Sequence, residues 1–143
     1  MKSINEIQDG VIEEFGFFDE WMDKYEHIIS FGKELPELDI AYKTEDNLVK
    51  GCQSRVWLHA EEHNGLLAFK ADSDAVITRG IVGLMVRVLS GHTPSEIVNA
   101  DLYFVDKIGL KEHLSPNRAN GLVSMIKKMK MYALAHQAKL NSE

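Results

Sequence analysis

Apolar side chains recur at helical spacing near the start of the chain, and this spacing predicts two amphipathic helices. The first helix opens with Ser3 and Glu6, a capping-box pair, and Gly16 marks its end. The second helix begins with Asp19 as its N-cap, and Gly32 lies just beyond its last turn. Each helix carries one apolar stripe, so both are expected to pack on a core with the opposite side in water.

Two later stretches predict a central helix and a terminal helix. Residues 74–89 are apolar on nearly every side, which is typical of a helix buried on most of its surface. Gly80 and Gly83 each cost such a helix about 1 kcal/mol relative to alanine, so we expect another element to approach its backbone there. Ser115 and Pro116 start the terminal helix as N-cap and first helical residue. The inner face of this helix comprises Leu122, Met125, Ile126, Met129 and Ala133, and its solvated side comprises Lys127, Lys128 and Lys130.

The segment between the second and third helices predicts a β-hairpin. Strand-forming side chains occupy residues 56–58 and 66–69, and Asn64 and Gly65 between them form a strong two-residue turn signal. Residues 48–49 add a third short strand. The predicted fold class is therefore α+β, with a small antiparallel sheet of about three strands packed against helices.

Composition narrows the classes of function. The 143 residues are 45% apolar and carry a net charge of −6, which fits one domain over residues 1–143 and disfavours a nucleic-acid surface. The longest apolar run, residues 75–89, is interrupted by charges and is too short to span a membrane. A single cysteine and an N-terminus unlike a signal peptide predict a reducing cytoplasm. Partners are expected to be proteins or small molecules.

Cys52 is the only cysteine of the chain, and its neighbours are typical of a reactive thiol rather than a structural one. Gly51 lets the backbone turn, and the polar pair Gln53 and Ser54 follows before the apolar alternation begins. A cysteine that only fills a core usually lies inside an apolar run. The pattern predicts a loop tip that presents the thiol, with Gly51, Gln53 and Ser54 as the supporting loop.

Positive charge flanks this thiol in the sequence. Lys50 and Arg55 lie two and three residues from Cys52, and a nearby cation favours the thiolate over the thiol. The sequence therefore predicts that the pKa of Cys52 is lowered and that the side chain is a nucleophile. A thiol-dependent hydrolase or a redox-sensing protein is one class that fits this chemistry.

A second candidate site lies at His59, Glu62 and His63, which match a zinc-binding pattern that requires one face of a helix. These residues follow strand formers and run into the Asn-Gly turn, so the helix is absent. We therefore expect an exposed polar hairpin and no metal site.

Three motifs resemble the SufE family, the sulfur acceptors of SufS-type cysteine desulfurases. They occur in the expected order and cover nearly the whole chain. The first comprises Gly51, Cys52, Gln53, Ser54, Val56 and Trp57; the second comprises Ser73, Asp74, Ala75, Arg79, Gly80 and Ile81; the third comprises Leu114, Ser115, Pro116, Asn117, Arg118, Asn120, Gly121 and Leu122.

The resemblance implies the SufE/IscU fold and a function in iron–sulfur cluster biogenesis. Cys52 would accept sulfur from a desulfurase persulfide, stimulate that enzyme, and pass the sulfur to a downstream scaffold complex as a sulfurtransferase-like carrier. Pyridoxal phosphate would belong to the desulfurase, with no cofactor on this chain. Cluster scaffolding itself is disfavoured, because a cluster is normally held by several thiolates and this chain supplies one.

The resemblance also singles out two charged residues, Asp74 and Arg118. Asp74 suits the first turn of a helix, whereas a cation such as Arg118 is unfavourable there because of the helix dipole. Another contact is therefore expected to hold Arg118 in place, and the resemblance implies that both residues hold the cysteine loop or bind the desulfurase. An apolar recess for the sulfur is also expected, with Val49, Val56 and Trp57 either lining it or acting as its hinge.

Overall fold

The computed structural model describes residues 2–141, which form seven α-helices and one antiparallel pair of strands. The helices are α1 (Ile4–Phe15), α2 (Trp21–Glu34), α3 (Val76–Leu89), α4 (Pro94–Val98), α5 (Phe104–Lys107), α6 (Leu110–His113) and α7 (Pro116–Asn141). The strands are β1 (Val56–His63) and β2 (Leu66–Ser73). Helices pack on a small antiparallel sheet, so the predicted α+β class is confirmed. None of the helices within residues 2–141 combines the length and the apolarity that crossing a membrane requires.

The first predicted helix has the predicted ends. The backbone N–H of Glu6 donates to Ser3 Oγ at 3.1 Å, and the N–H of Ser3 donates to Glu6 Oε1 at 3.1 Å, which completes the capping box. The second helix starts one residue later than predicted, with Glu20 as its N-cap, and Gly32 lies inside it rather than beyond it.

The hairpin also forms as predicted. Asn64 and Gly65 have φ angles of 54° and 83°, the left-handed values that a two-residue hairpin turn requires. The sheet has two strands rather than about three, because Leu48 makes only an isolated bridge to Trp57. The segment that leads to the cysteine is therefore attached to the sheet at one point.

The buried helix α3 lies at the centre of the fold and begins at Val76, two residues later than predicted, because Ser73 still belongs to β2. Its glycines allow α2 to pack directly on its backbone. A Cβ atom built on Gly83 would lie 2.7 Å from the carbonyl oxygen of Phe31, and one on Gly80 would overlap the carbonyl oxygen of Ile28. The predicted close approach at both glycines is confirmed.

Helix α7 packs against the chain that precedes the cysteine. Its predicted inner face is buried, apart from the partly buried Ile126. Lys128 is not simply solvated, because its ammonium donates to the carbonyl oxygens of Asp46 and Leu48 at 2.9 and 3.0 Å. This helix therefore fixes the start of the cysteine loop, and α3 lies near its other end.

Candidate functional site

The cysteine loop is attached to the fold at both of its ends. At its start, the N–H of Val49 donates to the carbonyl oxygen of Val56 at 2.8 Å. At its end, the N–H of Arg55 donates to Asp74 Oδ1 at 3.1 Å, and the N–H of Asp74 donates back to the carbonyl oxygen of Arg55 at 3.3 Å. Ser73 Oγ also donates to the Arg55 carbonyl at 2.7 Å. Asp74, which directly follows β2, therefore hydrogen-bonds the base of the loop, and its functional role stays a prediction.

Between these anchors the thiol makes the hydrogen bond that joins the loop to the rest of the described chain, and the Cys52 side chain packs against the core. Gly51 turns the chain with a φ angle of 93°, and the thiol of Cys52 donates to the carbonyl oxygen of Gly121 with a sulfur–oxygen distance of 3.7 Å. Within the described part of the chain, the backbone of residues 50–54 makes no hydrogen bond to the helices or strands around it. Moving residues 50–54 outward therefore breaks one weak S–H hydrogen bond and takes the Cys52 side chain away from the core residues it packs against.

Cys52 is half-buried and faces a small recess between the loop and helices α3 and α7. The cavity has a volume of about 50 Å³. It is lined by Cys52, Gln53, Ser54, Thr78, Ile81, Asn117, Arg118, Gly121 and Met125. The predicted lining by Val49, Val56 and Trp57 is wrong, because Val49 and Val56 are buried in the core and none of the three lines this cavity. A hinge role, the other alternative, stays a prediction; Val49 and Val56 are hydrogen-bonded to each other at the base of the loop.

Burial raises the pKa of the Cys52 thiol above its ordinary value. The predicted lowering by Lys50 and Arg55 is wrong, because both side chains are exposed and water screens their charges. The resting side chain is therefore a protonated thiol, sheltered against α7.

Arg118 lies in the first turn of α7 and lines the recess together with Cys52. Its guanidinium donates to the hydroxyl of Tyr25 at 3.3 Å, and its backbone N–H donates to Ser115 Oγ at 3.3 Å. The structure thus brings Arg118, Gln53 and Ser54 to the thiol, whereas Asp74 lies at the base of the loop and does not line the cavity.

Thr78, Ile81 and Met125 line the recess but were not predicted as site residues. Thr78 and Ile81 are three residues apart in the predicted central helix, so helical spacing places them on one face. Nothing in the sequence indicated that this face meets the cysteine loop. Gly121 belongs to the third motif, and a Cβ atom built on it would lie 3.2 Å from Cys52 Sγ. The thiol fits against α7 because this residue has no side chain.

The chemistry of the recess gives little support to a hydrolase. Its lining contains neither histidine nor a carboxylate, so no described residue there can act as a general base for Cys52. The raised pKa of the thiol also contrasts with the lowered pKa that redox-sensing cysteines require.

The histidine pair lies on β1, as the sequence indicated. The two carboxylate oxygens of Glu61 contact His59 Nε2 at 3.2 Å and His63 Nε2 at 3.1 Å, and Lys70 Nζ lies 3.5 Å from the same carboxylate. The described residues contain no group of three or more histidine, cysteine or acidic side chains arranged to hold a metal ion. The hairpin carries ion pairs in place of the helical zinc pattern.

The fold has been seen before. The solution structure of a hypothetical protein from Thermus thermophilus matches with a TM-score of 0.77 and 18% identity, over 92% of this chain and 96% of that one. At this identity the match shows the fold alone.

Comparison of the sequence with known proteins identifies the family of this chain. The model of the SufE domain, described as an Fe–S metabolism associated domain, matches residues 9–133. An uncharacterized SufE-like protein of Rhizobium meliloti is 47% identical over 87% of this chain and 93% of its own length. A second uncharacterized SufE-like protein, from Rhizobium etli, is 42% identical over 91% of each chain. A chloroplastic/mitochondrial SufE-like protein 1 of Arabidopsis thaliana is 43% identical over 81% of this chain and 32% of its own length. This chain therefore belongs to the SufE family, and its role lies in iron–sulfur metabolism.

Proposed function

We propose that this protein accepts sulfur from a SufS-type cysteine desulfurase on Cys52, carries it as a persulfide, and passes it to a downstream scaffold complex. The observation that supports this most is the state of the thiol. The single cysteine of the chain faces a small recess, on a loop that is hydrogen-bonded at both ends and whose thiol donates one hydrogen bond to Gly121.

The transfer exchanges one sulfur–sulfur bond for another. The Cys52 thiolate attacks the outer sulfur of a persulfide on the desulfurase cysteine. A bond forms between Cys52 Sγ and that sulfur, and the donor's sulfur–sulfur bond breaks, leaving its electron pair on the desulfurase cysteine as a thiolate. The proton lost by Cys52 ends on solvent or on that thiolate. The step is a displacement without net oxidation, so it needs no metal or redox cofactor on this chain.

The resting position of Cys52 is better suited to protecting a bound sulfur than to attacking the persulfide of the desulfurase. Burial raises the pKa of Cys52 and so keeps the thiol protonated, and the thiol faces a cavity of about 50 Å³, which is too small for part of a second protein to enter. Transfer therefore requires the desulfurase to draw residues 50–54 outward, with Val49 and Arg55 as the fixed ends. Out of the recess the thiol is hydrated and ionises more readily. After transfer the loop returns and shelters the persulfide from stray thiols and oxidants.

Arg118 and Asp74 serve this cycle in different ways. Arg118 is exposed at the mouth of the recess, where it can pair with an acidic group of the desulfurase. Asp74 keeps the end of the loop in place through the Arg55 amide. Any pyridoxal phosphate belongs to the desulfurase.

Turnover of the desulfurase tests the proposal. Wild-type protein should raise the rate at which a SufS-type enzyme converts cysteine to alanine, and Cys52→Ser should fold normally but give no stimulation. The hydroxyl is nearly isosteric with the thiol but is far less nucleophilic. Full stimulation by the serine variant would refute a covalent carrier.

A further inference from the structure

Thr78 presents an unpartnered hydroxyl to the recess that holds Cys52. It lies in the first turn of α3, it is only 7% exposed, and it lines the same cavity as the thiol. A buried helical threonine commonly donates to the carbonyl four residues earlier. Within residues 2–141 the Thr78 hydroxyl makes neither that hydrogen bond nor any other.

The oxygen of this hydroxyl is not fully enclosed. Within residues 2–141, Arg79 Nε is the side-chain atom that is both enclosed and without a hydrogen-bond partner. The Thr78 oxygen also has no partner there, so it must keep contact with open space, and Thr78 lines the recess. The hydroxyl is therefore available to donate a hydrogen bond to an atom that enters the recess.

The resting thiol and the carried sulfur need different hydrogen-bond partners in the recess. The resting S–H is a donor, and the carbonyl of Gly121 accepts it. A persulfide is more acidic than a thiol, so its outer sulfur carries negative charge and needs a donor instead. Carbonyl oxygens cannot supply one, but a threonine hydroxyl can, and hydrogen bonds to an anion are the stronger kind.

The cavity has room for that sulfur. Its volume is about 50 Å³, and a single water needs roughly 10–15 Å³ on the same measure. One additional sulfur atom on Cys52 therefore fits without displacing the loop, whereas a peptide or a larger metabolite does not.

We propose that the Thr78 hydroxyl binds the sulfur that Cys52 carries, donating a hydrogen bond to its outer sulfur while the loop is closed. This inference rests on the proposed carrier function and adds a sulfur-binding residue to it. Thr78 lies between the two halves of the second SufE motif, Ser73 to Ala75 and Arg79 to Ile81, so the family resemblance does not identify it.

The test loads Cys52 without a desulfurase, so that binding of the sulfur by Thr78 is measured independently of the enzyme that supplies it. Wild type, Thr78→Val and Thr78→Ser are loaded on Cys52 with inorganic polysulfide and freed of donor. The fraction that keeps a 32 Da increment, the mass of one sulfur, is then followed by intact mass spectrometry against pH. Thr78→Val should lose the sulfur about tenfold faster, equal to ~1.4 kcal/mol, and its sulfur should ionise at higher pH. Thr78→Ser keeps the hydroxyl and should restore both properties.

Three results would overturn the assignment: equal lifetimes in wild type and Thr78→Val, a serine variant that behaves like valine, or a wild type that takes no sulfur from polysulfide. Thr78→Ala asks the same question if the valine variant does not fold. Alkylation of the unloaded thiol serves as the control, and it should change less than about twofold because the resting S–H contacts Gly121 instead. Wild type that keeps polysulfide sulfur but accepts none from a desulfurase would refute the proposed function and leave the Thr78 site standing.

Discussion

Replacing Gly121 by alanine should expose the thiol of Cys52 while leaving the free energy of unfolding nearly unchanged. A Cβ atom at this position would lie 3.2 Å from Cys52 Sγ and 3.8 Å from the Cα and Cβ atoms of the same residue. The sulfur must then move away by a few tenths of an ångström, which lengthens and weakens its 3.7 Å contact with the Gly121 carbonyl. Alanine also favours the helix over glycine by about 1 kcal/mol, whereas shifting the cysteine off its preferred rotamer costs about 0.5–1.5 kcal/mol. The free energy of unfolding should therefore change by less than about 0.5 kcal/mol.

The rate of Cys52 alkylation should rise in Gly121→Ala by about threefold or more, because the thiol becomes both more accessible and more ionised. Gly10→Ala is the matched control: Gly10 lies inside α1, and a Cβ atom there would meet nothing within 4 Å. That variant should gain about 0.5–1 kcal/mol with no change in alkylation. Urea unfolding and iodoacetamide kinetics on the three proteins give both quantities. An unchanged alkylation rate in Gly121→Ala would refute the close packing of the thiol on α7.

Three further outcomes follow from the contacts around the site and the core. Gly83→Ala should lower the free energy of unfolding by about 2 kcal/mol in urea titrations, because its Cβ atom would press on the carbonyl of Phe31 at 2.7 Å; a stabilised variant would contradict the α2–α3 packing. Arg118→Ala should reduce desulfurase stimulation severalfold while changing the free energy of unfolding by less than about 0.5 kcal/mol. The control is Tyr25→Phe, which removes only the hydroxyl that Arg118 contacts and should leave stimulation unchanged. Equal stimulation by Arg118→Ala and wild type would exclude a docking role. The alkylation rate of the free protein should level off at a higher pH than in urea, because burial raises the pKa of Cys52. The same raised pKa affects stability: the contribution of the thiol is fully present below the ordinary thiol pKa and is lost as the pH rises through the raised pKa. If the pH profiles of the alkylation rate coincide in water and in urea, Cys52 is not buried as described.

Features that depend on neighbours in sequence were predictable. The Ser3 and Glu6 capping box and the Asn64 and Gly65 turn each involve residues at most three apart, and both form as predicted. The close approach at Gly80 was predictable for a similar reason, since glycine in a buried helix is costly unless another backbone needs the space.

Features that depend on tertiary packing were not predictable in this way. The pKa of Cys52 follows from its burial against α7, whereas the sequence showed only that Lys50 and Arg55 flank it. The lining of the recess was missed because Thr78 lies 26 residues from Cys52 along the chain and meets it only after α3 has packed beneath the loop. The cysteine itself was identifiable because its local composition differs from that of a core cysteine. The residues of α3 and α7 that surround it were not identifiable from the sequence.

Sulfur transfer to Cys52 is visible in the mass of this protein after incubation with a SufS-type cysteine desulfurase and cysteine, followed by removal of the desulfurase. If Cys52 carries the sulfur, the mass should rise by one increment of 32 Da. Peptide mapping should locate this increment on the fragment that contains Cys52, reduction should remove it, and Cys52→Ser should lack it. Protein whose mass is unchanged, while the desulfurase in the same tube carries its own persulfide, would contradict sulfur transfer to Cys52.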